Sequence, residues 1–183
     1  MSNNHAERRP LAVKADSDPA SGSQARLLQP LLSMAHEEPG NAEPFARLDG
    51  IHILIVDDDE DARTICDAML RYAGATVRVV GSALAAARTL RHLRPDVVLT
   101  DLSMPRNDGL WLIDWIRQRD GRRRDHLPVI AITARDDLYD VATARRHGLD
   151  AYLTKPVPFR TLCATIAEIV EPAIRDERSA AQA

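Results

Sequence analysis

The chain has 183 residues, of which 45% are hydrophobic and 28% charged, a balance typical of one globular domain with some additional chain. Its formal net charge of −3 argues against a protein that as a whole binds polyanions, so we expect no nucleic-acid partner. No apolar run approaches the roughly 18 residues that cross a membrane, and no apolar segment follows Arg8 and Arg9 as in a secretory signal. We therefore expect a cytoplasmic protein without membrane contact.

Residues 1–48 lack any regular alternation of apolar and polar side chains, and prolines recur through them. We interpret this part as a disordered or weakly structured N-terminal extension. It contains a short apolar patch, interrupted by Pro30 and formed by Leu27, Leu28, Leu31 and Leu32. The patch fits either a docking segment or a transient cluster without fixed structure.

A regular pattern begins at Ile51. The apolar run from Ile51 to Val56 predicts a buried strand, and five acidic residues from Asp57 to Asp61 follow it. Such a series of carboxylates is best tolerated at a helix N-terminus, where the helix dipole favours negative charge. A helix from about Glu60 to Ala73 is predicted by a buried stripe of Ala62, Ile65, Cys66, Met69 and Leu70.

The rest of the pattern continues to alternate strands with helices. The predicted elements up to residue 118 are a strand Val77–Val80, a helix from Ser82 to about Leu93, a strand ending at Asp101 and a helix from Gly109 to about Gln118. A polar, arginine-rich loop from Arg117 to Asp125 follows and includes Arg122, Arg123 and Arg124. The remaining elements are a strand Val129–Thr133, a helix from Asp136 to His147 closed by Gly148, a strand Ala151–Thr154 and a helix from about Phe159 to Val170. This order predicts an α/β fold, with a doubly wound five-stranded parallel sheet of order 2-1-3-4-5, flavodoxin-like, and helices on both faces. The domain is expected over 49–172, followed by a polar C-terminal tail over 173–183.

Polar side chains end four of the predicted strands. Asp57 and Asp58 follow the first strand and Asp101 the third, and these strands are neighbours in the predicted order. By itself, Asp101 fits equally well an aspartate that only begins a turn. Three carboxylates in one crevice would repel each other, however, and a hard divalent cation such as Mg²⁺ would relieve that repulsion.

Thr133 and Lys155, after the fourth and fifth strands, suit a phosphoryl group held near Asp101. A carboxylate nucleophile can accept such a group as an aspartyl-phosphate. The Lys155 ammonium could hold phosphoryl oxygens by charge, and the Thr133 hydroxyl could hold them by a hydrogen bond.

The sequence resembles the receiver domain of two-component response regulators, of the CheY-like superfamily, over about residues 50–171. The matching segments are Ile53-Leu54-Ile55-Val56-Asp57-Asp58, Asp101 with Met104-Pro105 and Asp108-Gly109, Ile132-Thr133-Ala134, and Tyr152-Leu153-Thr154-Lys155-Pro156. The resemblance implies that Asp101 is the phosphoacceptor. It also implies Mg²⁺ held by Asp58, Asp101 and the backbone carbonyl of Ser103, with Asp57 acting largely through water. It further implies Thr133 and Tyr152 as switch residues and a cis peptide bond at Lys155–Pro156.

In function, the resemblance implies a single-domain receiver in a phosphorelay. Such a domain accepts its phosphoryl group from a histidine kinase or a histidine phosphotransfer protein and signals by contact with a downstream protein. It would catalyse only its own phosphorylation and dephosphorylation. The alternative is a phosphohydrolase that uses an aspartyl-phosphate, but haloacid-dehalogenase-type enzymes place a second aspartate where this chain has Ser103.

The two cysteines and the two tryptophans also allow predictions. Cys66 and Cys163 form no C-x-x-C motif and lie in apolar surroundings, so we expect reduced, buried thiols. Trp111 and Trp115 lie off the buried stripe of their helix and, at i and i+4, are expected along one flank. That flank is either a contact surface, for a second copy of the chain, another protein or the leucine patch at 27–32, or a site where both rings lie flat on neighbouring side chains.

Overall fold

The structure is a computed structural model that describes residues 45–105, 109–123, 126–134 and 145–180. Its strands are β1 (His52–Val56), β2 (Thr76–Val80), β3 (Val97–Thr100), β4 (Val129–Thr133) and β5 (Ala151–Thr154). All four pairings are parallel, and the order is β2-β1-β3-β4-β5. The predicted fold class and strand order are confirmed. None of the described helices is both long and apolar enough to cross a lipid bilayer.

The described helices are α1 (Glu60–Tyr72), α2 (Ala83–Thr89), α3 (Gly109–Arg123) and α4 (Phe159–Ala180). The first two begin at side-chain caps. Asp59 Oδ1 accepts hydrogen bonds from the amides of Asp61 and Ala62, and Ser82 Oγ accepts one from the Ala85 amide. These bonds satisfy amides that have no partner inside the helix, which fixes where each helix begins.

Two predicted helix ends are wrong by several residues. Helix α2 ends at Thr89 rather than near Leu93, because the following amides turn back tightly and bond to the carbonyls of Arg88 and Thr89. Helix α4 continues past Val170 to Ala180. Of the helix predicted over 136–147, only the end at residues 145–146 is described. Gly148 follows it at a φ of 88°, a conformation that suits glycine at a helix end.

The predicted polar loop from Arg117 to Asp125 is also wrong, since helix α3 continues to Arg123. The reason is a set of contacts made by Arg117 with distant parts of the chain. Its guanidinium donates to the carbonyl oxygens of Gly148 and Leu127 and to the carboxylates of Asp120 and Asp150, at 2.6 to 2.9 Å. These bonds hold the last turns of the helix against the start of β4 and β5. Arg124, the last residue of the predicted arginine series, lies outside the described residues.

The sheet has an apolar core on each face. On one face, side chains of β1, β3 and β4 pack with residues of α2 and α3, including Leu54, Val98, Ala86 and Ile113. Trp115 is half-buried against this core, with the Arg119 guanidinium 5.2 Å from its ring centre, whereas Trp111 is 36% exposed. For Trp115 this corresponds to the alternative in which the ring lies on neighbouring side chains. The leucine patch at 27–32 lies outside the described residues.

The residues just before β1 belong to the packed structure. Leu48 is fully buried, and its amide donates to the Ala73 carbonyl at 2.9 Å. The Phe45 ring contacts the rings of Tyr72 and Phe159, with centres 5.7 and 4.8 Å away. Packing thus begins before residue 49, where the sequence pattern placed the start of the domain.

Both cysteines are free thiols, and Cys163 is buried. Burial raises the pKa of Cys66 to about 12 and that of Cys163 to about 11. Both thiols are therefore protonated at neutral pH, the form that reacts poorly. Of the two cysteines expected to be buried, Cys163 is buried and Cys66 is half-buried.

Candidate functional site

Three carboxylates meet at the carboxyl end of the sheet. Because β1 and β3 are paired with Val56 opposite Thr100, the residues that follow them, Asp57 and Asp101, emerge side by side. The Asp101 amide donates to the Val56 carbonyl at 2.8 Å, which continues the pairing to the site itself. One carboxylate oxygen from each of Asp57, Asp58 and Asp101 lies within 4.8 Å of the others. The structure therefore brings together the acidic residues that the sequence analysis grouped.

The environments of the three carboxylates differ. Asp57 is 7% exposed, and its Oδ1 accepts a hydrogen bond from the Asp59 amide at 2.9 Å. Asp58 is exposed. Asp101 is half-buried, and its Oδ1 accepts from the Ser103 amide at 2.9 Å, which fixes the first turn of the loop after β3. The backbone thus holds Asp101 Oδ1, while the side chain stays open to solvent on part of its surface.

Lys155 joins two of these carboxylates. Its Nζ lies 2.7 Å from Asp57 Oδ2 and 2.8 Å from Asp101 Oδ2. Burial works to lower the pKa of Lys155, but the hydrogen bonds to Asp101 and Asp57 outweigh that effect, and the pKa is raised above its usual value. The ammonium is therefore charged at neutral pH. The Lys155 amide donates to the Thr133 carbonyl at 2.8 Å, and the Lys155–Pro156 peptide bond is cis.

Thr133 ends β4 at the same edge of the sheet and is fully buried. Among the described residues, its Oγ1 is a buried side-chain atom without a hydrogen-bond partner. A buried hydroxyl without a partner is rare in folded proteins, so Thr133 Oγ1 is available to donate a hydrogen bond to a group bound beside it. Tyr152, in β5, is half-buried and packs against the core that contains α2 and α3.

Two residues support the site through the backbone. Arg63, on α1, donates from Nη1 to the Asp57 carbonyl at 2.7 Å; no motif in the sequence marked it, because the contact depends on how α1 packs. Gly109 lies so close to the loop after β3 that a Cβ there would be 2.3 Å from the Asp101 carbonyl oxygen. Only glycine fits this approach, which explains one residue of the matched Asp108-Gly109 pair.

A group of carboxylates with this spacing fits a small divalent cation. Mg²⁺ takes oxygen ligands from one or two carboxylates and completes its shell with water and phosphate oxygens. The exposed Asp58 and the half-buried Asp101 leave room for those additional ligands. The donor set is all oxygen, as a hard cation requires.

Comparison with known proteins identifies the class. Residues 53–167 match the family model of the response regulator receiver domain, so the chain belongs to this family, whose members are phospho-accepting signalling domains. The match contains Asp57, Asp58, Asp101, Thr133 and Lys155. The alternative of a phosphohydrolase is not supported by these comparisons.

Individual relatives agree with this assignment. The chain is 33% identical over 129 residues to the transcriptional regulatory protein AfsQ1 of Streptomyces coelicolor, covering 70% of this chain and 55% of that protein. It is 36% identical over 108 residues to the Regulator of RpoS of Escherichia coli K12, covering 59% of this chain and 31% of that protein. The chain thus spans about half of the first relative and a third of the second.

Solved receiver domains share the fold. The receiver domain of the sensor histidine kinase PA1611 from Pseudomonas aeruginosa PAO1 matches with a TM-score of 0.60 and 31% identity, over 67% of this chain and 98% of that one. That structure has a magnesium ion coordinated in its active site cleft. A receiver domain protein from Clostridium thermocellum matches with a TM-score of 0.61 and 26% identity, over 67% of this chain and 96% of that one.

Proposed function

We propose that Asp101 is the phosphoacceptor of this receiver domain and that its phosphorylated form signals by contact with another protein. The observation that carries the proposal is the Lys155 ammonium, 2.8 Å from Asp101 Oδ2, at the edge where Asp57 and Asp58 also lie. A cation at this place can bind an oxygen of an incoming phosphoryl group while the carboxylate attacks its phosphorus.

In the transfer, an Asp101 carboxylate oxygen forms a bond to phosphorus and the bond from phosphorus to the donor breaks. With a phosphohistidine donor, the bonding electrons return to the imidazole nitrogen, which becomes protonated. The product is an acyl phosphate, which water can hydrolyse to restore Asp101 and release phosphate. The protein would in this sense catalyse only its own phosphorylation and dephosphorylation.

We assign the magnesium ligands to Asp58, Asp101 and the Ser103 backbone carbonyl, with Asp57 acting through water. Bound there, Mg²⁺ would supply positive charge for the phosphoryl oxygens. The three neighbouring carboxylates of Asp57, Asp58 and Asp101, called the acidic group below, support this assignment. The magnesium ion in the related PA1611 receiver domain supports it as well. Asp57 also accepts hydrogen bonds from Lys155 and the Asp59 amide, which orient it.

Thr133 and Tyr152 are proposed as the switch residues. A phosphoryl group adds roughly −1.5 to −2 charge and strong acceptor oxygens. The Thr133 hydroxyl, which has no partner among the described residues, would donate to one of these oxygens. Its movement would leave space for Tyr152 to turn inward and change the surface around β5.

As phosphoryl donor we propose a histidine kinase or a histidine phosphotransfer protein, with a downstream protein as target and the cytoplasm as location. The relatives include a transcriptional regulatory protein and the receiver domain of a sensor histidine kinase, so similar receiver domains occur both in regulators and in kinases. We further propose 49–172 as the receiver domain, with an extension before it and a tail after it. A second copy of the chain is one candidate partner.

Labelling with acetyl phosphate and magnesium tests the proposal. The wild-type chain should gain one phosphoryl group by intact mass, and Asp101→Asn should gain none. Asp61→Asn is a matched control, because it removes an exposed carboxylate of α1 outside the acidic group. Equal labelling of wild type and Asp101→Asn would contradict the assignment.

A further inference from the structure

A cavity of about 500 Å³ lies beside the first residues of β1 and β2. This is the amino-terminal end of the strands, opposite the end at which the aspartates lie. Its polar lining is formed by His52, Thr76, Arg78, Thr89 and His92. The remaining lining is apolar and includes Val77, Leu93 and Pro95. This volume lies in the range of small-molecule pockets, which combine an apolar wall with a few polar groups. The phosphoacceptor chemistry uses none of these residues.

The shortness of α2 explains why the cavity exists. Arg78 is paired with Leu54, and Leu54 packs in the core on the face that α2 covers. Because α2 ends at Thr89, no turn of this helix covers the first residues of β2. The chain then returns to β3 through residues 92–95, which form the other wall.

The charge around the cavity is opposite to that of the whole chain. Between Ala75 and Asp96 the sequence has four arginines, Arg78, Arg88, Arg91 and Arg94, and only one carboxylate, Asp96 itself. Asp96 is already engaged, since its Oδ2 accepts from the His52 amide at 2.6 Å and lies 3.3 Å from His52 Nδ1. Within the described residues, no carboxylate pairs with Arg78.

We propose that this cavity binds a small organic anion, a phosphate or carboxylate carried on a compact apolar body. The Arg78 guanidinium can bind such an oxyanion through two parallel hydrogen bonds. Thr76, Thr89 and His92 add hydrogen-bonding groups, and the apolar wall contacts the body of the ligand. Of the four arginines only Arg78 lines the cavity, which favours a small ligand over a polyanion that would use all of them.

Titration of the full chain with phenyl phosphate, benzoate and inorganic phosphate tests this proposal. Followed by calorimetry and by amide chemical shifts, phenyl phosphate or benzoate should bind saturably, with shifts concentrated at residues 52–53, 76–78 and 89–95. Inorganic phosphate should bind more weakly because it lacks an apolar body. Loss of a charge-assisted contact predicts that Arg78→Gln weakens binding about tenfold or more.

Arg88→Gln is the matched control, because it removes the same charge from an exposed position of α2 that does not line the cavity. It should change the affinity by less than about twofold. Absence of saturable binding by all three probes would overturn the proposal. The proposal would also be overturned if both variants weakened binding of the probes equally and both equally reduced binding of a DNA duplex. That result would indicate a general surface for polyanions.

Discussion

The Lys155 ammonium lies 2.8 Å from Asp101 Oδ2. Asp101 follows β3 and Lys155 follows β5, and β4 lies between these two strands in the sheet. The same Nζ lies 2.7 Å from Asp57 Oδ2. One cation therefore balances part of the negative charge of two carboxylates, and a third carboxylate, Asp58, lies close by. A divalent cation bound among these groups would share with Lys155 the task of offsetting their repulsion.

Substitution of Lys155→Met should make stability more dependent on magnesium. Without Mg²⁺ we expect the free energy of unfolding to fall by roughly 1–2 kcal/mol, a modest loss because Lys155 is partly exposed. Addition of Mg²⁺ should stabilise the variant more than the wild type, since the ammonium no longer repels the metal. Urea unfolding with and without Mg²⁺ measures both effects. An equal or smaller gain in the variant would argue against a shared electrostatic role.

The same pair of proteins gives a pH test. The pKa of Lys155 is raised in the folded protein. Its charged form therefore contributes fully to the free energy of unfolding below the unfolded pKa near 10.4, and this contribution is lost as the pH rises through the folded pKa. The difference in unfolding free energy between wild type and Lys155→Met should stay constant from neutral pH to about pH 9 and shrink only above that. A difference that disappears near neutral pH would contradict the charged state assigned to Lys155.

Replacement of Thr133 by valine should separate stability from switching. Thr133→Val removes a buried hydroxyl without a partner among the described residues, so the unphosphorylated protein should become more stable by roughly 1 kcal/mol. The variant should lose most of the amide shifts at residues 151–155 that beryllofluoride, a mimic of the phosphoryl group, induces in wild type. Thr133→Ser keeps the hydroxyl and should retain them. Full shifts in the valine variant would remove Thr133 from the switch.

A Cβ at position 109 should destabilise the loop after β3. In Gly109→Ala this atom would lie 2.3 Å from the Asp101 carbonyl oxygen and 2.9 Å from Leu102 Cα, both backbone atoms that cannot move cheaply. We expect a loss of roughly 1–3 kcal/mol in unfolding free energy. Gly81→Ala is the control, since its Cβ would meet only the end of the Arg63 side chain, at 3.3 Å. Similar stability of the two variants would show that the backbone near Asp101 adapts.

Removal of Asp58 should weaken magnesium binding. Asp58→Ala takes away one hard oxygen ligand from the acidic group, so calorimetric titration should show at least a tenfold lower affinity than in wild type. Asp61→Ala removes an exposed carboxylate from the first turn of α1 and should leave the affinity nearly unchanged. An unchanged affinity in Asp58→Ala would place the metal elsewhere.

The sheet could be predicted from the sequence because strand burial is a local signal. Continuous apolar runs such as Ile53–Val56 identify buried parallel strands, and the alternation with helices limits the strand order. The acidic group followed from that order, since Asp57 and Asp101 end neighbouring strands. What the order could not give was the geometry, including the bonds from Lys155 to both aspartates.

What the sequence pattern missed depends on contacts between distant parts of the chain. Arg117 indicated a loop by its polarity, yet its bonds to Gly148 and Asp150 extend α3. Leu48 had no periodic neighbours, yet its amide reaches Ala73 and its side chain is buried. None of these contacts is visible in a pattern of neighbouring residues.

The position of the phosphoryl group itself tests the central claim most directly. Borohydride reduces an aspartyl-phosphate to homoserine, a residue lighter than aspartate, so peptide mass spectrometry of the reduced, acetyl-phosphate-treated chain identifies the modified position. We predict homoserine at Asp101 alone, dependent on magnesium and absent without acetyl phosphate. Homoserine at Asp57 or Asp58, with Asp101 unmodified, would contradict the account.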